Sequence, residues 1–322
     1  MTVYDVAKAA GTSASTVSRV LNGSALIAPE TRATVLDAAD ELGYRQRRVR
    51  RSASRSVLNV VVFLPRAAEA HAHLFYDAAA LFAGIQKGLE PVRTHTIAAL
   101  VGSTSPFEGK KLGDIDGCIF AFCDPPGKAR RLLIERGIPA VVINRLDEQF
   151  ACVVNDHEAG MAAIAALVAA RRPQARPAWV TVATANPVAG YRRRALLGCE
   201  ALRMADADCF EFGSIAQIGT ESVASMLEAG YDTLICVNDL VAIAAYERLS
   251  LLGVRVPHGV GLTGYDAAPV RELLSQEIAT VDLAGEAMGR QAAEQLVEAI
   301  LRRELPRGRT MVAGGLIAGS TL

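Results

Sequence analysis

From residue 58 onward the apolar positions gather into short unbroken runs, each followed by a longer stretch in which they recur every three or four residues. The runs Leu58–Leu64, Ile115–Phe122, Ile138–Ile143, Ala178–Ala183, Thr233–Val237 and Val260–Thr263 predict strands covered on both faces, since a strand with one wet face would alternate. The three-to-four spacing predicts helices over Ala78–Glu90, Lys128–Arg136, Glu158–Ala170, Arg192–Ala205, Glu221–Ala229, Leu240–Leu252 and Gly285–Arg303. Strands and helices taking turns predict a doubly wound α/β body with parallel sheets, and this many strands predict two lobes.

The N-terminal segment has no such runs. A short helical pattern over Val3–Ala10 puts Val6, Ala7 and Ala10 on one face, and Gly11 supplies a turn. Ser13 is placed to cap a second helix in which Val17, Val20 and Leu21 face a core while Ala14, Ser15, Ser18, Arg19 and Asn22 face out. Pro29 opens a third helix, Val35, Ala38, Ala39 and Leu42 form its buried stripe, and Gly43 ends it. Ala28 offers no capping oxygen to that helix, at a local cost of about 1 kcal/mol. The chain thus divides into a three-helix headpiece at 1–45, a linker at 46–57 and the α/β body at 58–322.

With 322 residues, 51% of them hydrophobic and 21% charged, the chain can bury large cores, yet no apolar run approaches the ~20 residues of a membrane span. The start, Met1-Thr2-Val3-Tyr4-Asp5, has no basic stretch leading into an apolar one, so a cytoplasmic protein is expected. Cys118, Cys123, Cys152, Cys199, Cys209 and Cys236 are scattered, and neither they nor His71 and His73 show metal-ligand spacing. Reduced core cysteines are expected, with no metal and no cofactor. The net charge of zero conceals an asymmetry: residues 1–58 carry nine bases and five acids, net +4, against 25 bases and 29 acids in the rest. A basic end on an acidic body suits a phosphate-binding module joined to a part that does not touch nucleic acid. A second helix that begins with small polar residues and carries Arg19 one turn on can enter the DNA major groove and donate to guanine O6 and N7. The same spacing also fits an ordinary three-helix bundle with a solvated Arg19.

The segments Tyr4-Asp5-Val6-Ala7, Ala10-Gly11-Thr12-Ser13, Thr16-Val17-Ser18-Arg19-Val20-Leu21-Asn22-Gly23, Thr31-Arg32 and Ala38-Ala39-Asp40-Glu41-Leu42-Gly43-Tyr44 closely resemble the headpiece of the lac-repressor (LacI/GalR) family. The resemblance implies that Ala14 and Ser15 stand where residues vary with operator sequence. It also implies that Tyr4, Ser13, Thr16, Ser18, Arg19 and Asn22 contact bases or phosphates. After Tyr44 the chain departs from the family, whose Pro-Asn and wedge-forming Leu are replaced by Gln46, Arg47 and Ala53. A methyl group is a poor wedge between base steps. Six arginines between Arg45 and Arg55 offer phosphate contact instead, with Arg47, Arg50, Arg51 and Ala53 as the candidate linker positions on DNA. The linker is expected to be disordered off DNA; a solvated basic tether remains the alternative.

The body resembles the family's effector domain, which is similar to periplasmic sugar-binding proteins, in Phe82–Glu90, Ile115-Asp116-Gly117, Gly137–Val142, Asn238-Asp239, Gly253–Pro257 and Gly264-Tyr265-Asp266. Such folds hold ligands in the crevice beyond the carboxyl ends of the strands. The resemblance implies an effector pocket drawing on Phe82, Asn238, Asp239 and Asp266, whose amide and carboxylates suit hydroxyl groups of a sugar or related metabolite. Asn238 and Asp239 equally suit capping of the following helix. The ligand-gripping Arg of the family's Arg-x-x-Gly motif is Ala195 here; Arg192, Arg193 and Arg194 are the neighbours that could substitute, Arg194 being the nearest in sequence, with a solvated helix face as the alternative. Pro91 is expected to stop the preceding helix early and trim the first lobe.

These features together predict a homodimeric regulator, a repressor of transcription, that reads half-sites of double-stranded operator DNA and answers to a small-molecule effector. An enzyme is not expected, since no glycine-rich phosphate loop, Gly-x-Ser-x-Gly elbow or metal cluster appears. A transport-type binding protein is at odds with the start of the chain and the basic headpiece. The serious alternative is the same regulator with a body that serves only as a dimerisation scaffold.

Overall fold

The computed structural model describes residues 2–21, 27–42, 44, 57–66, 76–101, 114–183 and 187–322, and the chain folds as two compact units, Met1–Ser54 and Arg55–Leu322. In the first unit α1 (Val3–Ala9), α2 (Ala14–Leu21) and α3 (Pro29–Glu41) enclose Val6, Ala7, Val17, Val20, Val35, Ala38 and Ala39. Thr2 and Asp5 begin α1 as a reciprocal box: the Thr2 N–H donates to Asp5 Oδ2 at 2.7 Å and the Asp5 N–H to Thr2 Oγ1 at 3.4 Å. The third helix starts on Pro29 with no side-chain cap from Ala28.

The second unit holds two lobes. The first is a six-stranded sheet in the order β11-β5-β4-β3-β1-β2, from β1 (Leu58–Leu64), β2 (Thr94–Leu100), β3 (Gly117–Ala121), β4 (Ala140–Ile143), β5 (Ala151–Asn155) and β11 (Arg309–Val312). All its pairings are parallel. Helices α4 (Ala78–Leu89) and α10 (Gly285–Arg302) cover one face through Leu81, Ile85, Met288, Ala292 and Leu296, while α5 (Gly127–Arg136) covers the other through Leu133. The second lobe is a parallel sheet in the order β7-β6-β8-β9, from β6 (Pro177–Val182), β7 (Cys209–Phe212), β8 (Thr233–Cys236) and β9 (Gly261–Thr263). Its core joins Trp179, Ile235 and Leu262 to α6 (His157–Arg171), α7 (Val188–Leu197), α8 (Thr220–Glu228) and α9 (Asp239–Leu251). A short antiparallel pair, β10 (Thr280–Val281) with β12 (Leu316–Ile317), completes it.

The chain passes between lobes after Asn155, near Leu283 and after Val312, and the Asn155 side chain lies at all three crossings. Its Nδ2 donates to Leu283 O at 3.1 Å and reaches Val312 O at 3.4 Å.

The helix predicted at Arg192–Ala205 is α7, Val188–Leu197, because Pro187 precedes its start and the chain turns at Gly198. Strands β2, β5, β7, β10, β11 and β12 are not among the elements that the apolar runs predict. The first of these mixes Thr94, His95 and Thr96 with small apolar residues and is largely exposed at the sheet edge. Helix α4 ends at Leu89, shortly before Pro91, and β2 begins four residues after Glu90. Four cysteines are buried, but Cys199 and Cys209 are only half-buried.

Candidate DNA-reading helix and effector cleft

In the headpiece the hydroxyl of Ser13 receives the Thr16 N–H at 3.1 Å and lies 2.8 Å from Ser15 Oγ and 2.9 Å from Thr16 Oγ1, closing the start of α2. Burial of Val17 and Val20 fixes the rotation of this helix, leaving Ser15 and Arg19, one turn apart, exposed. Ala14 is half-buried against the headpiece core rather than fully outward, because it faces the same side as Val17 and Leu21. Tyr4 stands on α1 with its ring 76% exposed. Ser18 belongs to α2 by its backbone. Asn22, Arg47, Arg50, Arg51 and Ala53 lie outside the described residues.

The body has a cleft of about 300 Å³ whose lining includes Asn144, Arg145, His157, Tyr191, Arg194 and Arg309. Asn144 follows β4, Asn155 ends β5 and Pro187 precedes α7, so the cleft lies beyond the carboxyl ends of strands from both lobes. Arg194 is exposed on its rim, its guanidinium 5.0 Å from the Tyr191 ring centroid. Ala195 also lines it.

Beside the cleft is a buried polar cluster. Arg192 is 2% exposed; it donates to Asp266 Oδ1 at 2.5 Å and to Val237 O at 2.7 Å, and stacks 3.7 Å from the Tyr265 ring centroid. Its Nε approaches His157 Nδ1 at 3.4 Å. The Tyr265 hydroxyl donates to Asn155 Oδ1 at 2.7 Å, which ties this second-lobe cluster to the chain crossings. Gly160 makes room for it, since a Cβ there would stand 2.0 Å from the Tyr265 oxygen. Asp266 adopts φ 99°, outside the range most side chains tolerate.

The remaining sequence candidates are placed elsewhere. Asn238 caps α9 by accepting the Val241 N–H at 2.9 Å. Asp239 is fully buried, its carboxylate accepting from Thr280 Oγ1 and the Ala268 N–H, both at 2.7 Å. Phe82 is half-buried against the first-lobe core. Of the five effector candidates only Arg194 lines the cleft. Of the three neighbouring arginines Arg192 is the one that turns inward, away from the cleft lining, as Val188, Arg192 and Leu196 recur at the four-residue spacing of a buried helix face.

The cluster sets two opposed titrations. Burial, with Arg192 and Arg145 nearby, lowers His157 from 6.5 to about 2. Burial and the Asp266 carboxylate push Asp239 from 3.8 up to about 7. Burial raises Asp266 against the pull of Arg192. A His with a depressed folded pKa contributes stability that is full above pH 6.5 and lost as the unfolded ring takes up its proton below that. Asp239 acts the other way, destabilising increasingly as pH rises from 3.8 to about 7. Each slope is at most about 1.4 kcal/mol per pH unit. His157→Gln is therefore expected to gain stability at pH ~5 relative to pH ~7.5 when compared with the parent, and Asp239→Asn to lose it. Urea unfolding at the two pH values checks this, and variants whose losses are equal at both would show that these groups titrate normally.

Among the described residues no helix is long and apolar enough to cross a membrane, and no group of three or more His, Cys, Asp or Glu could hold a metal.

A three-helix unit with an exposed second helix, followed by two parallel α/β lobes with a cleft at their strand ends, has the build of a helix-turn-helix transcription regulator. Residues 2–46 match bacterial regulatory proteins of the lacI family, and residues 157–322, just over half the chain, match the periplasmic binding protein-like domain. The chain belongs to the lacI family of bacterial regulatory proteins. It is 29% identical to the HTH-type transcriptional regulator CelR of Thermobifida fusca, over 93% of this chain and 92% of that protein. Its fold matches a structure of a CelR–cellobiose complex with a TM-score of 0.65 at 24% identity, covering 100% of both chains. It also matches the lac repressor dimer bound to operator and the anti-inducer ONPF with a TM-score of 0.64 at 21% identity, covering 100% of this chain and 98% of that one.

Proposed function

We propose that this chain is a cytoplasmic, sequence-specific transcriptional repressor that binds operator DNA as a homodimer and is controlled by a small-molecule effector in the interlobe cleft, with no catalytic step of its own. The observation that carries the DNA-binding reading is α2, which keeps Val17 and Val20 in the core and presents Ser15 and Arg19 outward. Arg19 is the base reader, with Tyr4, Ser13, Thr16, Ser18 and Asn22 positioning the helix on bases and phosphates. Arg47, Arg50 and Arg51 add linker contacts to phosphate, beside Ala53. The relatives' operator and sugar complexes support the dimer and the effector.

Binding to DNA flanking the protein's own gene, followed by fluorescence anisotropy across a salt titration, tests this reading. Arg19→Ala should cost about 1–3 kcal/mol on one palindromic fragment, while affinity falls steeply with salt. Equal, weak binding to every fragment that is indifferent to the substitution would sink it.

The scaffold reading keeps one specific support: Ala195 stands where the family's gripping Arg would, and Arg192 is spent on Asp266. The ligand titrations below separate the two.

A further inference from the structure

Among the described residues three arginines, Arg145, Arg194 and Arg309, line the cleft together with a single carboxylate, Glu158. Among the described residues no carboxylate pairs with Arg194 or Arg309. His157 adds no charge, since its ring is held neutral by burial. Among the described lining residues Arg194 and Arg309 alone outnumber the one carboxylate, a local excess of positive charge on a body whose net charge is negative. A hydrophobic sugar-stacking wall would be built from aromatic rings; among the described residues the lining has one Phe, Tyr or Trp ring, that of Tyr191, and Arg194 already lies over it.

A second feature belongs to the wall of the same cleft. Asn144 lines the cleft, is 6% exposed, and its Oδ1 is buried with no hydrogen-bond partner. A buried, unsatisfied amide oxygen costs about 1–3 kcal/mol, so native proteins keep few of them. Asn144 also sits at φ 55°, a conformation that holds the residue at the end of β4 and that Asn tolerates better than most. The oxygen needs a donor, which an anion lacks and a hydroxyl supplies.

From these two features we infer that the effector is a hydroxylated anion: a small polyol chain or sugar bearing a carboxylate or phosphate. Arg194 and Arg309 take the anionic group, with Arg145 adding positive charge, and Asn144 Oδ1 accepts from a hydroxyl. Arginine suits this task because its planar fork meets carboxylate and phosphate oxygens in pairs. The volume of about 300 Å³ fits a monosaccharide-sized molecule at the lower end of ordinary ligand pockets. This assignment rests on the effector reading of the cleft and names its ligand class.

The test is calorimetric titration of the full-length protein with gluconate, glucose 6-phosphate, glucose and inorganic phosphate, extended to shorter and longer aldonates, sugar phosphates and their neutral parents. At least one hydroxylated anion should bind about tenfold or more tighter than its neutral parent, and more weakly as salt rises. The carboxylate and phosphate arms decide which anionic group is taken. Arg194→Gln with Arg309→Gln should weaken that ligand at least about tenfold. Asn144→Gly, which keeps the backbone conformation, should weaken it several-fold while leaving any inorganic phosphate binding unchanged. Thermal midpoints of the ligand-free variants control for folding. If neutral sugars bind as well as the anions and the double variant changes nothing, the anion assignment is overturned and the effector reading stands. Inorganic phosphate binding as tightly as every hydroxylated anion overturns the role of Asn144. Silence of charged and neutral compounds alike, in protein that still binds its operator, overturns the effector reading itself and leaves the scaffold.

Discussion

Arg192→Ala should lower the stability of the α/β body by about 3–5 kcal/mol, the usual result of removing one partner from a buried ion pair. The substitution strips Asp266 of its counter-charge in a site only 8% exposed, and leaves Val237 O without that donor. It also removes the guanidinium stacked on Tyr265. Much of the loss comes from the stranded carboxylate, so adding Asp266→Asn to Arg192→Ala should recover a good part of it. Chemical unfolding of the single and double variants measures both quantities. A single-variant loss under about 1 kcal/mol, the range of exposed pairs, would mean that the pair is hydrated in solution.

Gly84→Ala should be destabilising by about 1–3 kcal/mol even though Ala is the better helix former by about 1 kcal/mol. A Cβ at Gly84 would stand 1.9 Å from the Glu286 carbonyl oxygen, in the backbone of α10. Gly88 and Gly289 are alike, with Cβ positions 2.5 Å from the carbonyl oxygens of Arg290 and Leu81. Helices α4 and α10 thus meet backbone to backbone, and no side chain can swing aside to admit a methyl group. Gly127→Ala is the control, because a Cβ at the start of α5 meets nothing within 4 Å. Thermal unfolding should show a drop for the first variant and none for the second. A neutral Gly84→Ala would place the two helices farther apart than described.

Complete burial makes most strands of this protein legible in its sequence, though not all: β5 (Ala151–Asn155) is buried along its whole length and is not among the predicted runs. Strands β1, β3, β4, β6, β8 and β9 announce themselves because both faces are covered and their runs are unbroken. Edge strand β2 carries no such signal: it is exposed, and its identity comes from its ladder with β1. The headpiece was readable through Gly11, Ser13 and Pro29, residues whose backbone chemistry is local. The cleft was harder to read. Asn238, Asp239 and Asp266 do follow strand ends, but capping, a Thr280 bond and the Arg192 pair occupy them, and these partners come from distant parts of the chain. Arg145, Arg309 and Asn144 are brought together only by the sheet order that sets β11 beside β5 and β5 beside β4.

The amide of Asn155 joins three lengths of chain. Its nitrogen reaches the carbonyls of Leu283 and Val312, and its oxygen holds the Tyr265 hydroxyl. Three separate ribbons of chain are therefore riveted at one point, and none can twist without pulling on the others. Independent flexing of three strips would let the lobes wander in many directions. A common rivet instead makes the three strips bend together about one point, to which the Tyr265 ring and the Arg192 guanidinium stacked on it are joined from the second lobe.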